Sequence, residues 1–535
     1  MIPRTRSCRI IAMGLWLLLV ATNPGRNETT DVEMRRLVAR QIWSAGTVTV
    51  PSPKGGYSMW IPTEPGRWVA PYGVGQSLLF VPFDMAGFLL EQMGPKQPRP
   101  TAAVPGSADQ MTAETWGDRV GWLPIGFGLL PLLGVGYWAA VRALLQEWGF
   151  VRPWPTLGSL TLVLGTIAFH YAGQPQEETL IGLCLTLSVL FAMRLRHRST
   201  WRNALLSGAF AGACILTRPV SVFALLIVPV LIATVQRNLT ARVRLLTAAG
   251  VSGGAAVCVA LWYNFARFGN VFETGYERLG VVAKLAFDGR WLPVFASLLV
   301  GPGVGLLILS PVLAIAVYGA WRLWPRDRWY AAGMLLAVLS SFGFFAAWHE
   351  SYTGGVAWGA RYQVHLLPLL AVPLTLGLEQ LSRNGPWRRF AIGLVVVSLG
   401  IQGLSVFATH HLEHYQAACD GMQNAPLRNS VVDGQLGRRV ENVIRWTTGG
   451  VPRPVRDAQC GPTIALMWER YMPNFWGPVI AHRLAGHGRW LLVAWSLLLP
   501  LSLLTLWSGI RQEIRSAGSA AIPATHYKQH KRSGK

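Results

Sequence analysis

Two acids near the start of the chain, Asp31 and Glu33, have the type and spacing for chemistry. They lie in the stretch TTDVE, just before a run in which Met34, Leu37, Val38, Gln41 and Ile42 share one helical face and arginines occupy the other. A carboxylate held there can take the proton of an attacking hydroxyl, with Glu33 as an orienting or metal-binding partner. The same residues also suit a second role, in which Thr29, Thr30 and Asp31 cap the helix and Glu33 favours its first turn. The two roles are compatible, because capping also fixes the side chain.

Cations that suit a phosphate lie far along the chain. Arg361 follows the glycine-rich turn Gly354-Gly355…Gly359, and a guanidinium fork matches phosphate oxygens. An ion pair with Glu350 or Glu273, or snorkelling to the interface, is the other reading of Arg361. Arg218, in Thr217-Arg218-Pro219, is a second candidate. Lys54 is a third, with a solvated loop lysine as its alternative. His349 and Glu350, beside Trp348, invite a divalent metal, although no ligand spacing here is diagnostic. Tyr72, Glu273 and Tyr276, together with Glu177 and Glu178 of HYAGQPQEE, are polar groups that could line a cavity.

The elements that must position these groups are membrane spans. Of the 535 residues, 51% are hydrophobic and only 14% charged, with a mean hydropathy of +0.34. Soluble domains carry about 25% charge. A formal charge of +23 would suggest nucleic acid in a soluble chain, but its placement speaks against that partner. Segments 4–9, 142–152, 194–202, 237–244, 322–328, 383–389 and 511–535 hold 24 Lys and Arg against three acids. The positive-inside rule assigns all seven to the cytoplasmic face, leaving anionic lipid as their neighbour.

Spanning-length apolar stretches fall at residues 9–22, 120–141, 156–171, 177–193, 203–218, 219–235, 245–265, 303–321, 330–348, 363–381, 390–408 and 490–510. A thirteenth, 73–93, would turn every later basic segment outward if it crossed, and it contains Pro82, Asp84 and Glu91. It is therefore read as a re-entrant or surface helix. About twelve spans result, with both termini inside. Residues 4–22 also resemble a signal peptide, but LVATN at 19–23 offers no small-x-small cleavage site. The long first outside loop covers 23–119. Residues 1–408 are expected to form the catalytic membrane domain, 409–489 an extracytoplasmic loop or small subdomain, 490–510 the last span, and 511–535 a basic cytoplasmic tail. Cys419 and Cys460 are the only cysteines in an outside loop, and an oxidising compartment would let them pair.

Taken in order, TTDVE, PYGVGQSLLFVPF, QPQEETLIGLCLTL, LLSGAFAGACILTRP, YNFARFGNVFETGY, GPGVGLLILSPVL and TGGVAWGARY resemble the GT-C fold glycosyltransferases that use polyprenyl-phosphate sugars. The likeness runs over roughly residues 9–410 and is greatest to bacterial relatives of protein O-mannosyltransferases and aminoarabinose transferases. It implies an all-α bundle of about twelve spans, with two juxtamembrane helices in the first loop matching 31–44 and 73–93. It also implies that Asp31 is the catalytic base. Many members have adjacent acids at this point, whereas here Val32 separates Asp31 from Glu33. The expected activity is inverting transfer of a sugar from a polyprenyl-phosphate carrier to an acceptor hydroxyl at the outer face of the inner membrane. The alternatives are a lipid-carrier flippase or transporter and a non-catalytic envelope scaffold. The enzyme reading requires Asp31 and Arg361 to converge on one extracytoplasmic pocket.

Overall fold

The computed structural model describes residues 5–27, 29–51, 60–93, 116–235, 238–279, 290–348, 356–422, 430–483 and 489–519. Helices dominate. At a few helix starts a side chain takes up an otherwise unpaired backbone N–H. Asn238 accepts from the amide of Ala241 at 2.9 Å and Asp327 from that of Tyr330 at 3.1 Å. Glycines close several helices in the left-handed conformation that other residues resist, among them Gly149 at φ 112° and Gly269 at φ 71°.

Among the described residues, seven helices are long and apolar enough to cross a membrane: Val120–Trp148, Glu178–His197, Leu239–Phe268, Arg328–Ala347, Arg361–Ser382, Gly385–Phe407 and Trp490–Ala517. The chain is a multi-pass membrane protein with an all-helical bundle. The sequence-based reading expects about twelve spans, and each of those stretches holds helix here, three of them interrupted or tightened where proline and glycine disturb the backbone ladder. Expected span 156–171 breaks near Gly165 into Trp154–Leu164 and Ala168–Ala172. Expected span 303–321 consists of Leu306–Leu309 and Leu313–Leu323, parted by Ser310-Pro311. Expected span 219–235 opens as a tighter 3₁₀ helix, Pro219–Leu226. Helices Arg6–Thr22 and Trp201–Thr217 have 17 residues each.

Helix Gly75–Met93 is not among the seven. It packs against Thr30–Ala45 in the first outside loop, and a three-stranded antiparallel sheet follows that earlier helix: Val50–Pro51, Arg67–Val69 and Ile61–Glu64, in that spatial order. This sheet is an element that helical periodicity did not announce.

The first and last helices close the bundle. A side chain at Gly14 would meet the backbone of Leu506 at 2.7 Å, and one at Gly509 would meet Ile11 at 2.6 Å. Ser7 donates to buried Glu513 at 2.5 Å, and Arg152 lies 3.4 Å from the same carboxylate. The last helix runs from Arg489 to Ser519, past the expected 490–510, and carries Glu513 to these partners. Residues after 408 form helices His410–Cys419, Gln435–Thr447, Gly461–Tyr471 and Trp476–Arg483. They share a small apolar cluster including Leu412, Ile464, Met467 and Val479. Cys419 and Cys460 are joined by a disulfide.

Candidate active site

Four helix ends meet at one edge of the bundle. Asp31 occupies the first turn of Thr30–Ala45, and Glu177 and Glu178 stand at the start of Glu178–His197. Arg218 follows the last residue of Trp201–Thr217, and Arg361 opens the 3₁₀ segment Arg361–Leu370. Acids at helix N-termini and a cation at a C-terminus complement the helix dipoles. Close backbone approach fixes the loop that carries Tyr72. A side chain at Gly73 would lie 2.5 Å from the carbonyls of Leu216 and Thr217, and one at Gly75 would meet Thr217 Oγ1 at 2.4 Å.

The helix-capping role is not the one Asp31 takes. Thr29 is the N-cap and makes no side-chain cap bond; its own amide donates to Asn27 Oδ1 at 3.1 Å. Asp31 instead accepts from the Tyr72 hydroxyl at 2.6 Å and from Arg361 Nη1 at 3.3 Å. Arg361 also donates through Nε to Glu178 Oε1 at 2.6 Å, and its Nη2 lies 3.5 Å from Glu177. Arg218 donates to Glu177 Oε1 through Nε at 3.0 Å and to Glu178 Oε1 through Nη2 at 2.8 Å. Arg35, one helical turn beyond Asp31, reaches Glu177 Oε2 at 2.6 Å and lies over the Tyr72 ring at 4.2 Å.

Three carboxylates thus face three guanidiniums. All but Asp31 are nearly buried, with side-chain exposures of 8% or less, whereas Asp31 is 20% exposed. Burial opposes charge on Glu177, but the guanidiniums of Arg218, Arg35 and Arg361 outweigh it and hold the carboxyl below the usual range. Burial, and then the Asp31 carboxylate, push the Tyr72 hydroxyl well above its ordinary value. Tyr72 therefore keeps its proton and donates it to Asp31.

Other sequence candidates fall elsewhere. Glu33 accepts from Asn27 at 3.3 Å and lies 3.9 Å from Arg36, apart from the cluster around Asp31. Helix geometry separates the two acids, since residues two apart do not share a face. Glu273 pairs with Arg278. Tyr276 lines a narrow cleft with Tyr263, Asn264, Arg267 and Pro71. Arg267 there donates to the Tyr72 carbonyl at 3.3 Å and to Asn264 at 2.6 Å. Lys54, His349 and Glu350 lie outside the described residues. Among the described residues, no three His, Cys, Asp or Glu side chains gather in a way that could hold a metal ion. The carboxylates of the cluster are already held by arginines, a setting that does not suit a divalent cation.

Sequence reasoning noted Glu177 and Glu178 as cavity-lining groups only, and it passed over Arg35. A signal for Arg35 existed: it is four residues from Asp31, hence on the same helix face.

Fold and site together define a polytopic helical membrane protein with a balanced ion cluster at one end of its bundle. Similar solved structures include the apo oligosaccharyltransferase of Archaeoglobus fulgidus, at 12% identity and a TM-score of 0.48. That match covers 78% of this chain and 58% of the archaeal one. The same organism's AglB in complex with an inhibitory peptide and a dolichol-phosphate aligns with a TM-score of 0.42, 12% identity and the same coverage. ArnT from Cupriavidus metallidurans, bound to undecaprenyl phosphate, aligns at 12% identity and a TM-score of 0.48, over 96% of this chain and 78% of that one. This chain spans little more than half the length of the archaeal transferase it matches. No family model and no curated protein sequence matches it. Likeness at this level assigns no family.

Proposed function

We propose that the protein is an inverting glycosyltransferase that moves a sugar from a polyprenyl-phosphate carrier to an acceptor hydroxyl, working at the extracytoplasmic face of the inner membrane. One observation carries this reading. Asp31 is the only carboxylate of the cluster open to the outside, and it is oriented on one oxygen by Tyr72 and on the other by Arg361. Such a group can accept one more hydrogen bond, from an incoming hydroxyl, and then its proton.

In the proposed reaction the acceptor oxygen attacks the anomeric carbon as Asp31 takes its proton. The bond from that carbon to the phosphate oxygen breaks, and the carrier phosphate leaves with the electron pair. Arg361 offsets part of the charge that grows on the leaving group. A guanidinium has five N–H donors, so its carboxylate contacts leave some N–H groups over. Because the three arginines are balanced by three acids, the phosphate needs a further cation. Arg267, on the cleft wall and bonded to the carbonyl of Tyr72, whose hydroxyl holds Asp31, is the one we assign, with Lys54 as a second.

The test is to incubate purified protein with a radiolabelled polyprenyl-phosphate sugar and membrane extract as the source of acceptor. Wild-type protein is expected to form labelled product, and Asp31→Asn to lose it. Movement of the donor across vesicles with no covalent product would overturn the reading in favour of a flippase.

A further inference from the structure

Helix Gln435–Thr447 is built inside out. Gln435, Arg438, Arg439 and Asn442, at i, i+3, i+4 and i+7, form its buried face. Each has partners. Gln435 donates to the Ala357 carbonyl at 2.7 Å and accepts from the Gly359 amide at 2.8 Å. Arg438 reaches Asp420 at 2.8 Å, and Arg439 donates to Glu413 at 2.8 Å. Asn442 and Gln416 exchange hydrogen bonds. The opposite face carries Val440 and Ile444, 37% and 57% exposed, with Thr447 beside them, and is flanked by exposed Val431, Val432 and Val451. A helix in water exposes its polar side; here the fully buried side chains are polar, and only Leu436 and Val443 on the flank pack against apolar clusters.

Its position explains why. Arg439 Nη1 donates to the carbonyls of Leu404 and Ser405, at 2.8 and 2.9 Å, in the last turns of helix Gly385–Phe407. Trp446 meets the Phe407 ring edge-on at 5.4 Å. The outer flank of Gly385–Phe407 exposes Ile392, Val396, Val397 and Leu399, the surface of a helix that faces lipid. Its 23 residues extend about 35 Å at 1.5 Å per residue, more than the ~30 Å hydrocarbon core. Its end therefore reaches the head-group layer, and a helix crossing that end lies at the same depth.

We propose that Gln435–Thr447 is an interfacial helix, its Val440–Ile444 face resting in the lipid of the same leaflet edge as the Asp31 cluster. An amphipathic helix in this position buries its apolar side at the boundary between head groups and acyl chains, and Trp446 suits the aromatic belt. The polar face then anchors the helix to the protein, the opposite of a helix anchored through its apolar side. The inference does not depend on the transferase reading, since it needs only that the bundle spans a membrane.

The test uses spin labels at Val440→Cys and Ile444→Cys, each in full-length Cys258→Ser protein reconstituted in phospholipid nanodiscs. Cys258 is the exposed free cysteine among the described residues. Both labels are expected to collide more with oxygen, which concentrates in lipid, than with a water-soluble nickel chelate. A label at Val396→Cys gives the lipid-embedded reference. Preference for the chelate would show a water-facing helix and overturn the proposal. Exclusion of both reagents would show that protein covers this face, and would overturn it equally.

Discussion

Helix Thr30–Ala45 carries two ion clusters on two faces, and they differ in what their carboxylates have left to give. On one face, Asp31 and Arg35 join Glu177, Glu178, Arg218 and Arg361. On the other, Arg36, Arg40 and Trp43 grip Asp84 and Glu91 of Gly75–Met93. Asp84 is fully buried and accepts from Arg36 Nε at 3.0 Å, Arg40 Nε at 2.6 Å, Arg40 Nη2 at 2.8 Å and Trp43 Nε1 at 2.9 Å. Two carboxylate oxygens offer about four lone-pair sites, so Asp84 is saturated and cannot take a proton from a substrate. Asp31 has two such bonds and a side chain that reaches the outside. Saturation separates a carboxylate that holds two helices together from one free to react.

The largest expected effect breaks the working side alone. Asp31→Asn should lower sugar transfer by about 10²–10⁴-fold, read as labelled product per time, while thermal unfolding in detergent moves little. Arg361→Ala should abolish transfer and also destabilise the fold by about 3–5 kcal/mol, because it leaves Glu178 and Glu177 buried beside one guanidinium fewer. Denaturant unfolding separates that loss from the chemical one. On the holding side, Asp84→Asn should destabilise by about 1–3 kcal/mol, yet the protein that remains folded should transfer sugar at the wild-type rate per molecule. A fall in specific activity there would erase the contrast between the two faces.

The pH response sharpens the same comparison. Burial works against charge on Asp84, but the bonds from Arg40, Arg36 and Trp43 hold its carboxyl below its ordinary value. A depressed folded-state value means that this contribution is present above the usual carboxylate range and fades as pH falls through the folded value. Acid titration of stability should therefore show a smaller decline in Asp84→Asn than in wild type. The smallest effect is expected for Trp43→Phe, which removes one donor and should cost about 1 kcal/mol.

What could be read from the chain was the helical membrane fold and the kind of group that could do chemistry. Periodicity and basic segments marked the helices, and the acid before the Met34–Ile42 stripe and the arginine after the glycine turn stood out as chemically capable. Their separation of 330 positions is closed by tertiary packing, which no local pattern encodes. The same limit hid Arg35 and the dominant role of Glu177 and Glu178, because a partner's identity depends on which helix ends meet. Glu33, close to Asp31 in sequence, has its own neighbours in Asn27 and Arg36, since residues two apart on a helix point to different places. Breaks inside three of the expected spans stayed hidden because hydropathy sums over glycine and proline, while the backbone ladder stops at them. The inverted helix Gln435–Thr447 reads as an ordinary amphipathic helix until its neighbours are known.

The Ser7–Glu513 bond ties residues 506 positions apart, and Gly14 and Gly509 let their helices touch along the same seam. During synthesis, helix Arg6–Thr22 must therefore wait, the flank that will meet Arg489–Ser519 bare to lipid, until about 500 further residues have followed. A ribosome that stops short of Arg489–Ser519 leaves that seam open.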